Sequence, residues 1–123
     1  MEDLHTGTGS VRPLDTDAFM EITVLEKNGA VTAARFRCAD DPVLRRCGET
    51  LCRLLPDRPV TDLFYMSNNA VYYNIEPALR LNELFNATVA VLAAKRAAAD
   101  WCRKNGVRIP PDADVCGCAV EGH

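Results

Sequence analysis

The side chains best suited to chemistry stand close together. Cys38, Asp40 and Asp41 fall within Arg35-Phe36-Arg37-Cys38-Ala39-Asp40-Asp41-Pro42. One thiol among carboxylates could bind a metal ion, and such a set suits zinc or loosely held iron better than a sulfide cluster. Two more thiols, Cys116 and Cys118, lie near the end of the sequence, separated only by Gly117. Two ligands are too few for a tetrahedral site, so this pair serves a metal only if the chain carries it to the other donors. The candidate metal set is therefore Cys38, Asp40, Asp41, Cys116 and Cys118. Plainer readings stand beside it. Asp40 or Asp41, just ahead of Pro42, is well placed to accept from the free N–H groups of a first helical turn. Cys38 reads equally as a small hydrophobe.

The corner needs elements to hold it. From Ala18 to Glu26 the residues alternate, with Met20, Ile22 and Val24 on one side and Glu21 and Thr23 on the other, the pattern of a half-buried strand. Lys27-Asn28-Gly29 reads as a tight hairpin. Ala30 to Arg37 returns as its partner, with Val31, Ala33, Arg35 and Arg37 facing opposite to Ala34 and Phe36. Residues 5 to 17 are expected to be loop or a short edge strand. Beyond Pro42 the period changes: Val43, Leu44, Cys47, Leu51, Leu54 and Leu55 recur at helical spacing until Pro56-Asp57 stops them. This face makes Cys47 a buried packing residue, and Cys52 and Cys102 read as packing residues too. A short helix is expected over Val60 to Met66 behind Thr61 or Asp62, and another piece over Ala70 to Asn74. The longest helix is expected from Leu81 to Lys104, with Leu81, Leu84, Phe85, Thr88, Val89, Val91, Leu92, Ala94, Ala98 and Trp101 on a wide apolar face. Asn105-Gly106 ends it.

Strands first and helices after them give an α+β domain, a small antiparallel sheet with helices packed on one face. The 123 residues suffice for one hydrophobic core. A single domain over 1–109 is expected, followed by a tail over 110–123 that ends in Glu121-Gly122-His123, which resembles the start of an appended tag. The net charge of −3, with no basic stripe among aromatics, argues against nucleic acid as a partner. No apolar run approaches a membrane span, and the acidic start is no signal peptide, so a reducing cytoplasm is expected. Six cysteines are many for such a chain, yet none form a C-x-x-C pair. No His and acid arrangement surrounds Ser67 or Thr61, so nothing points to an enzyme.

The succession Gly7-Thr8-Gly9, the strand Met20 to Val24, Asn28-Gly29, Ala34-Arg35-Phe36-Arg37 and a following helix resembles the iron–sulfur cluster scaffold family, the NifU N-terminal domain and IscU. The Ala-rich stretch Ala90 to Trp101, closing on Asp100-Trp101, is similar to that family's long C-terminal helix. The resemblance spans roughly residues 7 to 104 and implies a non-catalytic protein. Such a protein assembles or transfers an iron–sulfur cluster, with a cysteine desulfurase or recipient Fe–S proteins as partners. By this resemblance the family's three thiolate positions fall near Leu14, on Asp41 with Cys38 as the nearest thiol, and on Asn86 beside Phe85. Asp15 and Asp17 lie near the family's aspartate. Cys38, Asp41 and Asn86 are therefore the residues implied for the cofactor, although the three thiolate positions themselves fall on Leu14, Asp41 and Asn86, none of them a cysteine. The alternative is a member of the fold that has lost cluster ligation and serves as a protein-interaction module.

Overall fold

Asn28 and Gly29 take φ values of 56° and 84°, the left-handed pair that a two-residue hairpin turn requires. In the computed structural model, which describes residues 3–14 and 16–121 (Cys118 and Ala119 by backbone alone), this turn joins β2 (Met20–Lys27) to β3 (Ala30–Cys38). The segment before Leu14 is a true edge strand, β1 (Thr6–Val11), and the three strands form one antiparallel sheet in the order β1-β2-β3. Gly9 pairs with Ile22, and Ile22 with Phe36. Met20, Ile22 and Val24 are fully buried on the inner face, as their alternation predicts.

One facing differs from expectation. Val31 is buried rather than sharing the outer side with Ala33, Arg35 and Arg37. The register shifts between Leu25 and Glu26, so an extra β3 residue separates Val31 from Ala33, and the period of two restarts beyond it.

Helix α1 (Pro42–Leu54) opens on Asp41, whose side chain accepts from Val43 N at 2.9 Å and Leu44 N at 3.1 Å. Its buried side presents Leu44, Cys47, Gly48 and Leu51, and Gly48 lies directly under the Phe36 ring. Residues Val60–Tyr65 form a 3-10 helix. Neither Thr61 nor Asp62 caps it: Pro59 precedes it, and no side chain bonds to its first turn. A single turn, α2 (Asn69–Tyr72), follows.

The long helix α3 runs over Leu84–Asn105, preceded by a separate 3-10 turn at Leu81–Glu83. Leu81 is 88% exposed and Phe85 39%, so the buried face starts one turn later than the apolar pattern predicts. The first turn borders an open cavity, lined by Phe85 and Asn86, and the buried residues of the helix begin at Ala87. Gly106 closes the helix at φ 67°, as its place after Asn105 predicts. The small residues of α3 let β1 approach closely. A Cβ on Gly9 would sit 2.3 Å from Ala97 N and 2.4 Å from Ala93 O, and one on Gly7 would sit 2.2 Å from Ala97 O. Both α1 and α3 thus lie on the inner sheet face, and the fold is α+β. Ala113, Val115 and Val120 pack against the same core, and α4 (Cys118–Glu121) is a final helical turn. Among the described residues no helix is long and apolar enough to cross a membrane.

Candidate functional site

Three segments meet at one end of the domain. The loop before β2, the β3–α1 corner and the start of α3 enclose an open cavity of about 630 Å³, lined among others by Asp17, Asp40, Asp41, Asn82, Phe85 and Asn86. A neighbouring cavity of about 510 Å³ shares Thr16, Asp17 and Ala39 and extends to Leu14 and Phe19. Leu14 is 73% exposed. The structure therefore brings together Asp40, Asp41 and Asn86 from the sequence-derived set. Asp15 lies outside the described residues.

Each of these side chains has a local cause. Asp41 is held in extended backbone, φ −141° and ψ 116°, and spends one carboxylate oxygen on the two N–H groups of the α1 cap. Asp40 points into solvent and stands 3.6 Å from the Arg45 guanidinium, an exposed pair of small energetic weight. Asn86 occupies the first turn of α3, one residue after Phe85.

The thiols are placed less favourably. Cys38 ends β3, partly buried, and is not on the cavity lining. Burial pushes its thiol up, with Asp41, Asp40 and Glu49 adding to the rise and Arg45 opposing it. That disfavours the thiolate, the form that binds metals. Cys116 is remote from the corner. Its carbonyl accepts from Arg96, and Arg96 lies ten residues along α3 from Asn86, about 15 Å by helical rise. The tail returns across the middle of α3 rather than across the Asp41 end, so Cys116 does not complete the corner. The side chain of Cys118 lies outside the described atoms. Among the described residues no group of three or more His, Cys, Asp or Glu side chains converges as a metal site.

The donors that do line the cavity are carboxylate and amide oxygens, one of them engaged in a helix cap. A [2Fe–2S] core is held by thiolates, and hard oxygen donors bind it poorly. The corner therefore does not fit an iron–sulfur cluster as a resident group.

Two hubs went unread in the sequence. Glu26, at the end of β2, accepts from Gly29 N at 2.8 Å and Trp101 Nε1 at 3.0 Å, and stands 3.1 Å from His5 Nδ1. Its place just before an Asn-Gly turn was the available signal. Arg96 donates to the carbonyls of Ser10, Val115 and Cys116 and to Glu121 at 2.6 Å, so it ties the end of β1, the segment around Val115 and the last helical turn to α3. Its signal was an arginine inside Ala93-Ala94-Lys95-Arg96-Ala97-Ala98. The chain matches no protein-family model, and no curated protein matches it.

Proposed function

We propose that this protein is a non-catalytic module built on the plan of an iron–sulfur scaffold, working by protein docking at the Asp17–Asp41–Asn86 end. The supporting observation is the lining of that end: carboxylates and amides at the centre, Phe85 beside them, and the exposed Leu81 and Leu14 close by in the chain. Exposed apolar side chains rimming a polar concavity are typical of protein-contact surfaces. The expected partners are a cysteine desulfurase or recipient Fe–S proteins.

A second reading is favoured by the convergence itself. The loop near Asp17, the Asp40-Asp41 corner and the Asn86 turn meet where the scaffold resemblance implies cluster handling. In that reading the end carries iron or a cluster briefly as cargo, with Cys38 as the nearest thiol. Anaerobic reconstitution with ferrous iron and sulfide, followed by desalting and absorbance spectroscopy, separates the two. A colourless protein supports the docking module. Visible charge-transfer bands that survive desalting and vanish in Cys38→Ser would replace it with the cargo reading.

A further inference from the structure

The two edges of the sheet are finished differently. Thr6, Ser10 and Thr8 turn backbone groups away from β2, and each finds an α3 side chain: Lys104 donates to Thr6 O, Arg96 to Ser10 O, and Thr8 N donates to Asp100. At β3 only the first outward residue is covered. Val31 N donates to Arg58 O, and Val31 O accepts from Asp57 N. Beyond the bulge, Ala39 N donates inward to Phe19 O, so Cys38, Phe36 and Ala34 turn their N–H and C=O groups outward in alternation. These three residues are only partly buried. Among the described residues no hydrogen bond reaches their outward backbone groups.

From this contrast we infer that the Ala34–Cys38 edge of β3 is a docking strand for an extended acidic segment of a partner protein. An added strand would bond to the outward groups of Ala34, Phe36 and Cys38, the main-chain recognition that strand addition uses. Its charge follows from the outer face. Arg35 and Arg37 project there, both exposed. Arg37 is already bonded to Glu21 at 2.9 Å, whereas Arg35 lies opposite Thr23 and has no acidic partner among the described residues. A carboxylate on the incoming strand pairs with Arg35 across the new ladder. Side chains of the incoming strand on the other face meet Ala34 and Phe36, so small apolar residues alternate with the acidic ones. The same arginines select against a second copy of this chain, because antiparallel β3–β3 pairing would set Arg35 and Arg37 against their own kind.

The test uses the full chain and a short fluorescein-labelled peptide of alternating glutamate and valine, with a lysine–valine peptide as counterpart. Anisotropy titration should show saturable binding of the acidic peptide, about fivefold or more tighter than the basic one, and Arg35→Glu should invert that preference. Amide exchange on the wild-type protein should slow at Ala34, Phe36 and Cys38 when the acidic peptide is present. The exchange map decides the matter even if Arg35→Glu misfolds. Absence of saturable binding, a preference that Arg35→Glu leaves unchanged, or protection confined to other residues would each overturn the inference.

Discussion

Asp100 accepts a hydrogen bond from the backbone N–H of Thr8 at 2.9 Å, tying the last third of the chain to its first strand. The contact belongs to a row. Arg96, Asp100 and Lys104 are spaced by four on α3, so they stack along one side of the helix. They meet Ser10, Thr8 and Thr6 in turn, at intervals of two along the strand. Four helical residues rise about 6 Å and two strand residues about 6.8 Å, so the two periodicities run almost in step. The row fixes β1 against α3 and closes an edge that would otherwise template pairing with other chains.

Removing the centre of that row should loosen the edge. Asp100→Ala takes the acceptor from Thr8 N and the ion-pair partner from Lys104, which stands 3.3 Å away. The site is partly solvated, so the expected loss is about 1 kcal/mol, a fall in melting temperature of roughly 4 °C. Asp100→Asn keeps an acceptor and should lose less. Thermal denaturation followed by circular dichroism measures both, and equal melting temperatures for Asp100→Ala and wild type would refute the role.

Gly9→Ala should be far more damaging. The added methyl would meet Ala97 N and Ala93 O, helix backbone atoms that cannot swing aside. Overpacking of that kind costs about 1–3 kcal/mol or more. Gly29→Ala meets no atom within 4 Å, and its cost comes only from a φ of 84° that alanine resists. Urea midpoints should rank wild type above Gly29→Ala and Gly29→Ala above Gly9→Ala. A Gly9→Ala midpoint at or above that of Gly29→Ala would show that β1 does not press on α3 as described.

The sheet hairpin, α1 and most of α3 were legible because their periodicity is local. Asn28-Gly29 names its own turn, and the Asp41-Pro42 pair states both cap and start. Val31 was misplaced because a bulge is a property of two paired strands, and one strand's alternation does not contain it. Leu81 was misplaced because apolar character says nothing about whether a partner lies opposite. The meeting of the Asp17 loop with the Asp40–Asp41 corner and Asn86 was anticipated only through the scaffold resemblance, since no spacing in a sequence encodes contacts across forty residues. The cap role of Asp41, in contrast, was written beside Pro42 from the start.

Glu26 should give the protein an acid-sensitive hinge. The Gly29 N–H, above all, holds its carboxyl below the ordinary 4.5; burial works the other way, and the Trp101 and His5 contacts lower it further. A lowered native pKa means that the unfolded chain takes up the proton first as pH falls. The stability contributed is therefore complete above about pH 4.5 and is lost as pH falls through the native value. Urea titrations between pH 3 and 7 should show wild type losing stability faster with acid than Glu26→Gln. Parallel slopes for the two proteins would remove Glu26 from the account.

Arg96 should control the tail. It is the donor to Val115 and Cys116 and the partner of Glu121, which also accepts from Arg12 N at 2.9 Å. Arg96→Gln shortens the reach and removes the charge. Trypsin should then cleave at Arg108 faster than in wild type, while α3 remains protected, with products read by mass spectrometry. Unchanged cleavage at Arg108 would mean that the tail is held by Val115 and Val120 packing alone.

The thiols offer the sharpest test of the α1 face. Cys47 is fully buried, as its stripe with Leu44 and Leu51 predicts, and burial pushes its thiol up to about 11 from an ordinary 9.0. Cys52 is partly exposed, yet burial of its thiol pushes it up to about 12. Alkylation proceeds through the thiolate, so at pH 8 Cys47 should react about a hundredfold more slowly than an unperturbed cysteine on ionisation alone, and more slowly still because it is enclosed. Cys38, partly exposed and less enclosed, should label well ahead of it. The same shift sets a pH dependence. Between pH 9 and about 11 the unfolded chain gives up the Cys47 proton while the native chain keeps it, so the native state binds more protons and stability falls as pH rises. Below pH 9 this contribution is level. Cys47→Ala should show a shallower alkaline slope than wild type, the Cys52 share remaining, at the cost of a small cavity, and mass spectrometry of iodoacetamide-treated native protein should find Cys38 modified before Cys47. Rapid labelling of Cys47, or an alkaline slope unchanged in Cys47→Ala, would mean that α1 turns a different face to the sheet.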